Sequence, residues 1–296
     1  MEQHDYLTTR EVAALLRVKE RKVYELASAG ELPCRRLTGK LLFPRAEIES
    51  LLGAAVRPPA VPALPAAARP NILVGSHDPL LDWALRESGS GLAAFFDGSL
   101  DGIARFARGE GIACGLHVFE PSTDSWNVQH VRAACADQPA VLVEWARRRQ
   151  GLILTKAAAR EILGIPDLRG RRVAMRQSTA GGRILFEHLL SEAGMTVADL
   201  SVAPATARTE SDIAAAVADG SAEAAFGLEA MARQFRLAYM PLVEERYDLL
   251  VDRRAWFESP LQALLAFCRT ERFRARSEAL GGYDISHLET VHWIGP

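Results

Sequence analysis

The sequence predicts a multidomain protein with a small, mainly helical N-terminal head and a larger two-lobed α/β body. Three observations carry that expectation. The run AAVRPPAVPALPAAARP, residues 54–70, holds five prolines among many alanines. Proline favours extended backbone, so this run reads as a semi-stiff linker between residues 1–53 and 71–296. The stretch after it alternates short apolar runs with amphipathic segments, the pattern of an α/β fold with a largely parallel sheet. Two long strand-rich runs without a convincing helix, 140–154 and 239–251, flank residues 155–238. A chain that leaves one lobe and returns to it has this form. The first lobe is therefore expected over 71–145 plus 248–296, and the second over 152–243.

In the head, LTTREVAALLRV opens the first helix. Thr8 or Thr9 can cap it, and Glu11 places negative charge at the positive end of the helix dipole. Val12, Leu15 and Leu16 form its apolar stripe. After a turn at Arg17-Val18, KERKVYELASAGEL gives a second helix with Val23, Leu26 and Ala27 inward, closed by Gly30. PCRRLTGKLLFP reads as a hairpin turning at Thr38-Gly39, and RAEIESLL as a short helix after Pro44. Helix, turn, helix, hairpin, helix is the order of a winged helix-turn-helix.

In the body, NILVGS, GLAAFF, IACGLHV, RRVAMR and AEAAFGL read as strands. PLLDWALRES, GSLDGIARFARGE, VRAACA, residues 181–193, DIAAAVADG and EAMARQF read as helices, and 260–280 is mostly helical. Three strand-to-helix turns carry small hydroxyl residues: GSHD, DGSLDG and RQSTAGGR.

Bulk properties narrow the function. Of 296 residues, 49% are apolar and the formal net charge is -2, so the chain as a whole is no polyanion binder. Charge is uneven, however. Residues 17–40 hold seven basic residues, Arg17, Lys19, Arg21, Lys22, Arg35, Arg36 and Lys40, against Glu20, Glu25 and Glu31. A basic cluster in a nearly neutral chain points to one nucleic-acid face. Cys34, Cys114, Cys135 and Cys268 are scattered, so a reducing cytoplasm is expected rather than a disulfide framework or a zinc site. The polar start MEQHDYLTTREV is unlike a signal peptide, and no stretch of 18 uncharged apolar residues suggests a membrane span. The phosphate-binding loop GxxxxGK[ST] and the G-x-S-x-G elbow are missing, and no metal-ligand spacing occurs. Cys114 and His117 raise a nucleophilic site, but positions three apart on a strand face opposite ways. No catalytic residue is assigned and the chain is not expected to be an enzyme.

Residues 1–53 resemble the excisionase-type helix-turn-helix domain. Thr8 before the first helix, Tyr24 on the second, Gly30 to Pro33 after it and the basic wing Arg35 to Lys40 carry the resemblance. Lys19-Glu20 replaces the serine usual before the reading arginines. The resemblance implies binding to double-stranded DNA through Thr9, Lys19, Arg21, Lys22, Tyr24, Arg35, Arg36 and Lys40. Single heads bury little DNA, so a homodimer reading two half-sites is expected.

Residues 71–287 resemble the periplasmic-binding-protein-like domain fused to such heads in bacterial regulators. The matching blocks are GSHD, GSLDGIARFARGE, GLHVFEPSTDSWNV, RRRQGLIL, RQSTAGGR, EERYDLLV and LGGYD. The resemblance implies a cytosolic ligand-sensing domain related to molybdate- or tungstate-binding proteins, with a small oxyanion as effector and no cofactor. An organic anion or cofactor precursor is the alternative.

In open α/β sheets, ligands bind at the carboxyl ends of strands, and helix N-termini attract anions. The candidate ligand set therefore comprises Ser76, His77, Ser99, His117, Arg176, Gln177, Ser178, Thr179, Gly181, Gly182, Arg183 and Tyr247. Hydroxyls donate, the glycines let an anion approach the backbone, and Arg176 or Arg183 adds charge. Tyr247 either donates its hydroxyl to the ligand or packs between the lobes. Glu244 and Glu245 are expected in solvent or paired with Arg147 to Arg149.

Overall fold

The structure is a computed structural model that describes residues 5–37, 40–48 and 68–296. The Thr38-Gly39 turn, the side chain of Arg36 and most of the 54–70 linker lie outside the described residues. The chain divides into two compact units, Met1–Ala68 and Arg69–Pro296.

The first unit places strand β1 (Tyr6–Thr8) against a hairpin of β2 (Arg35–Leu37) and β3 (Lys40–Pro44), in the order β1-β3-β2. Helices α1 (Thr9–Leu16) and α2 (Glu20–Ser28) pack on it. Thr8 caps α1 in a reciprocal box, its Oγ1 accepting from the Glu11 amide while Glu11 accepts from the Thr8 amide. The core is Leu7, Val12, Ala13, Val23, Leu32, Phe43 and Ile48, with Leu16, Leu26 and Ala27 against it. Leu15 corrects the expected stripe. It is exposed, because Ala13, three residues before Leu16, faces the core instead.

The second unit is built on one ten-stranded sheet. Its backbone is two strands of 15 residues each, β9 (Ala140–Leu154) and β13 (Ala238–Asp252). They pair antiparallel from Ala238↔Leu154 to Asp252↔Ala140. At about 3.3 Å per residue each spans roughly 50 Å, long enough to serve both lobes. At one end, β13 carries β6 (Ala113–Leu116), then β4 (Ile72–Gly75) and β5 (Ala93–Phe96). At the other, β9 carries β12 (Ala224–Leu228), then β10 (Arg172–Arg176) and β11 (Ser201–Ala207). Within each group of three the strands are parallel, and each group joins its long strand antiparallel.

Helices cover both faces of each lobe, as strand alternation requires. Leu73 of β4 packs with α3 (Pro79–Glu87), α9 (Ser259–Cys268) and α10 (Glu271–Leu280). Its neighbour Val74 packs with α4 (Ser99–Ala107) and α5 (Val128–Cys135). In the second lobe, Val173 and Met175 face α6 (Gly181–Glu192), while Ala174 shares a cluster with α7 (Glu210–Ala218) and α8 (Glu229–Gln234). No helix among the described residues is long and apolar enough to cross a membrane.

Candidate functional site

The carboxyl ends of the parallel strands of the two lobes meet. The Leu100 amide donates to the Thr179 carbonyl at 3.2 Å, and Thr179 Oγ1 donates to the Asp97 carbonyl at 3.3 Å. Arg208 reaches across to Asp97 at 2.7 Å. Gly181, first residue of α6, lies so close to His117 that a Cβ there would stand 2.2 Å from the His117 carbonyl oxygen. At Gly98, φ is +104° and a Cβ would stand 2.9 Å from the Thr179 carbonyl oxygen. Both positions need glycine because the opposite lobe occupies the space of a side chain.

Beneath this seam runs a buried polar chain. His117 Nε2 lies 2.9 Å from Ser76 Oγ, and His117 Nδ1 lies 2.7 Å from Glu245. The Arg148 guanidinium bonds Glu245 on one side and Asp78, at 2.8 Å, on the other. It also stacks 4.3 Å from the Tyr247 ring centroid. Asp78 is further satisfied by the Tyr283 hydroxyl at 2.6 Å, Trp145 Nε1 at 3.2 Å and the Leu81 amide at 2.7 Å. Burial alone would raise Glu245, but Arg148 and His117 outweigh it and hold its carboxyl down at about 2. Glu245 is thus a carboxylate that accepts from Nδ1–H of His117. The same burial lowers the pKa of His77, against the opposing pull of Glu210 and Asp78.

A second ion pair joins Arg176 to Glu210, both buried, and Arg176 also donates to the Arg208 carbonyl at 3.0 Å. Several buried polar atoms near the seam have no hydrogen-bond partner within the protein. They are His77 Nδ1, Arg148 Nε, Gln150 Oε1, Arg176 Nε and Gln177 Oε1, while the Gln150 amide nitrogen sits beside the Glu245 carboxylate. Gln150 is 1% exposed, lies on β9 beside Glu245, and faces Gly182, whose Cβ position is 3.7 Å from Oε1.

The structure gathers Ser76, His77, Ser99, His117, Arg176, Gln177, Thr179, Gly181 and Gly182 around the seam, but many are already engaged. Ser99 accepts from the His117 amide at 3.2 Å. Thr179 bridges the lobes, as above. Two expected contacts, those of Ser178 and Arg183, need correction, and Tyr247 takes its packing alternative rather than the ligand one. Ser178 is exposed, beyond the buried seam. Arg183 turns to Glu187 at 2.5 Å and to the Arg176 carbonyl at 3.3 Å, because the next turn of α6 offers a carboxylate four residues on. Tyr247 donates to the Ser76 carbonyl and stacks on His117, so it packs between strands.

Glu245 was expected in solvent or paired with an arginine; it is paired and fully buried, whereas Glu244 stays exposed near Arg147 at 3.8 Å. Gln150 and Glu210 are outside the expected set, and Arg148 is in it only as an ion-pair partner of Glu244 or Glu245. Period-two alternation along a long crossover strand puts Arg148 and Gln150 on one face, and that signal was available in RRRQG.

Ser178 and Thr179 do not cap α6. Its N-cap is Ala180, without a side-chain cap bond. The first amides of a helix have no intrahelical partner, and those of α6 belong to Gly181 and Gly182, whose Cα atoms face His117 and Gln150. The Cys114 thiol is elsewhere. It packs against Gly75 and Gly102 inside the first lobe, and burial pushes its pKa well up. Among the described residues, no group of three or more His, Cys, Asp or Glu side chains is arranged to hold a metal. A surface hollow of about 710 Å³ lies by α9 and α10. Its arginines are paired, Arg269 with Glu289 and Arg274 with Glu271.

In the head, Arg21 is 92% exposed with a loose contact to Glu25 at 3.4 Å, and Lys22 lies 3.6 Å from the same carboxylate. Lys19, at the N-cap of α2, is exposed, as are Tyr24, Arg35 and Lys40. Thr9 needs correction. It is only 7% exposed, because the Thr8 cap turns it toward the head's core.

Comparison with known proteins agrees with this architecture. Residues 6–55 match the helix-turn-helix domain family. The chain is 24% identical over 299 residues to the uncharacterized protein YvgK of Bacillus subtilis strain 168, covering 96% of each. It is also similar to an uncharacterized Clostridium pasteurianum protein encoded in the 5′ region of the ferredoxin 2Fe-2S gene. There the identity is 33% over 80 residues, which is 27% of this chain and 71% of that protein. Among solved structures, one described as a phosphate ABC transporter substrate-binding protein from Clostridium perfringens superimposes with a TM-score of 0.52 at 12% identity. It covers 75% of this chain and 99% of that one, a likeness of fold. Residues 82–269, more than half of the sequence, match the PBP superfamily domain, and the chain belongs to that superfamily.

Proposed function

We propose that this chain is a ligand-responsive DNA-binding transcriptional regulator, acting in the cytoplasm as a homodimer. Its head binds double-stranded DNA and its body closes on a small oxyanion. The observation that carries the reading is the seam itself. Two lobes meet at their strand ends over buried arginines, the uncapped start of α6 and polar atoms that the protein leaves unpartnered. Arg176 keeps Nε free of a protein partner, and the start of α6 has no side-chain cap. A ligand that favours the closed arrangement shifts DNA binding only if the dimer presents its heads differently in the two arrangements.

Molybdate and tungstate are the effectors that the family resemblance implies. The second reading, an organic anion, is favoured by one feature: the seam holds unpartnered side-chain acceptors, which suit a ligand carrying donors of its own. The nucleophilic reading is disfavoured by the inward, strongly buried Cys114.

The test is calorimetric titration of the purified protein with molybdate, tungstate, sulfate, phosphate and small organic anions, followed by DNA binding with and without the best ligand. Absence of binding by every oxyanion refutes the oxyanion reading. A bound ligand that leaves DNA affinity and operator geometry unchanged refutes the regulator reading.

A further inference from the structure

The seam offers acceptors as well as donors, and this bears on the chemistry of what it holds. Gln150 sets its amide nitrogen beside the Glu245 carboxylate and leaves a buried, unpartnered amide oxygen. With the nitrogen toward a carboxylate, the oxygen is the group left to accept. Gln177 is oriented by its own contact, since Nε2 faces the Arg208 carbonyl at 3.4 Å, and its buried Oε1 is left as an acceptor. Arg176 Nε, on a side chain 3% exposed, is an unpartnered donor. Behind these, two guanidiniums, Arg148 and Arg176, are outnumbered by three buried carboxyl side chains, Asp78, Glu210 and Glu245. His117 donates Nδ1–H to Glu245, and its Nε2 pairs with the Ser76 hydroxyl.

We infer that the effector is an anion bringing at least one O–H or N–H donor of its own, such as hydrogen phosphate or a short 2-hydroxycarboxylate, recognised through Gln150 and Gln177. This rests on the reading of the seam as the effector site. A bare tetrahedral dianion accepts only. It leaves Gln150 Oε1 and Gln177 Oε1 buried against its own oxygens, and a buried polar group left unpaired is a strong basis for rejection. An anion with a hydroxyl satisfies both kinds of partner.

Matched pairs of anions test the inference on the intact protein. Sulfate and hydrogen phosphate share a tetrahedral shape and differ by a proton; propionate and lactate differ by a hydroxyl. Calorimetry at pH 7.5 is expected to show the donor-bearing member of at least one pair binding about tenfold tighter or more. The same pair is expected to differ by less than about threefold in a Gln150→Leu protein whose melting curve stays cooperative. Sulfate, molybdate or tungstate binding as tightly as both donor-bearing anions overturns the inference and leaves the oxyanion reading standing. Preference for lactate over hydrogen phosphate names the organic source of the same chemistry. Binding of no anion by the wild type overturns the inference and the small-anion reading together. The wild-type comparison does not depend on the variant folding.

Discussion

Alanine at position 181 separates closure from folding. In the structure its Cβ would lie 2.2 Å from the His117 carbonyl oxygen, 2.9 Å from the carbonyl carbon and 3.1 Å from Nδ1. Ordinary contact needs well over 3 Å, so the start of α6 and the end of β6 must part by about 1 Å. The neighbour is backbone and cannot swing away. Overpacking of this kind costs about 1–3 kcal/mol, which corresponds to about 5- to 150-fold in affinity for any ligand that needs the lobes together.

A second term acts the other way. Alanine is a better helix former than glycine by up to about 1 kcal/mol, and this benefits the second lobe whether or not the lobes touch. The Gly181→Ala protein is therefore expected to melt no lower than wild type without ligand, yet to bind its best anion less tightly and scatter X-rays as a more open particle. Gly182→Ala is the internal control for closure. Its Cβ meets Gln150 at 3.7 and 3.8 Å and His117 Cε1 at 3.9 Å, ordinary contacts that need no opening. An affinity within twofold of wild type for Gly181→Ala, with unchanged scattering, refutes the seam as the closing surface.

Glu245 predicts a pH dependence of stability. Its folded pKa is held below the ordinary 4.5, so its contribution is complete above that value and is lost as pH falls toward 2. Glu245→Gln is expected to lower the melting temperature at pH 7, and the gap to wild type is expected to narrow on acidification from pH 5 toward pH 2–3; a gap constant with pH refutes the assignment. Arg208→Ala removes an interlobe pair that is partly solvated, so ligand affinity is expected to fall by less than about fivefold, and by less still at high salt; a larger, salt-independent loss in titration refutes that ranking. Arg35→Ala in the exposed wing is expected to weaken binding across DNA sequences and flatten the salt dependence by about one unit, measured by fluorescence anisotropy. Light scattering at micromolar concentration is expected to give a dimer; a monomer with and without ligand removes the half-site reading.

Local signals were enough for much of the fold. The Thr8–Glu11 cap, the strand-to-helix alternation of the body and the two helix-free runs at 140–154 and 239–251 are all visible over short windows, because periodicity and capping act between neighbours in sequence. The site was legible in position and less so in role. Ser76, Ser99 and His117 sit at strand ends as their small, polar contexts suggest, but whether each hydroxyl faces a ligand depends on partners 18 to 41 residues away. Ser178 lies within the RQSTAGGR turn and Arg183 ends it, yet the first is exposed and the second is held by Glu187.

The sequence by itself determined the head, the α/β body, the strand ends that meet and the glycines at the start of α6. Tertiary structure alone decided the chemistry between the lobes. Arg148 neutralises Asp78 and Glu245 from 70 and 97 residues away, and Arg176 finds Glu210 34 residues on. The physical reason is burial. Away from water, a charge must be paired by whichever opposite charge the fold brings within reach, and that partner is fixed by sheet order and register rather than by spacing along the chain.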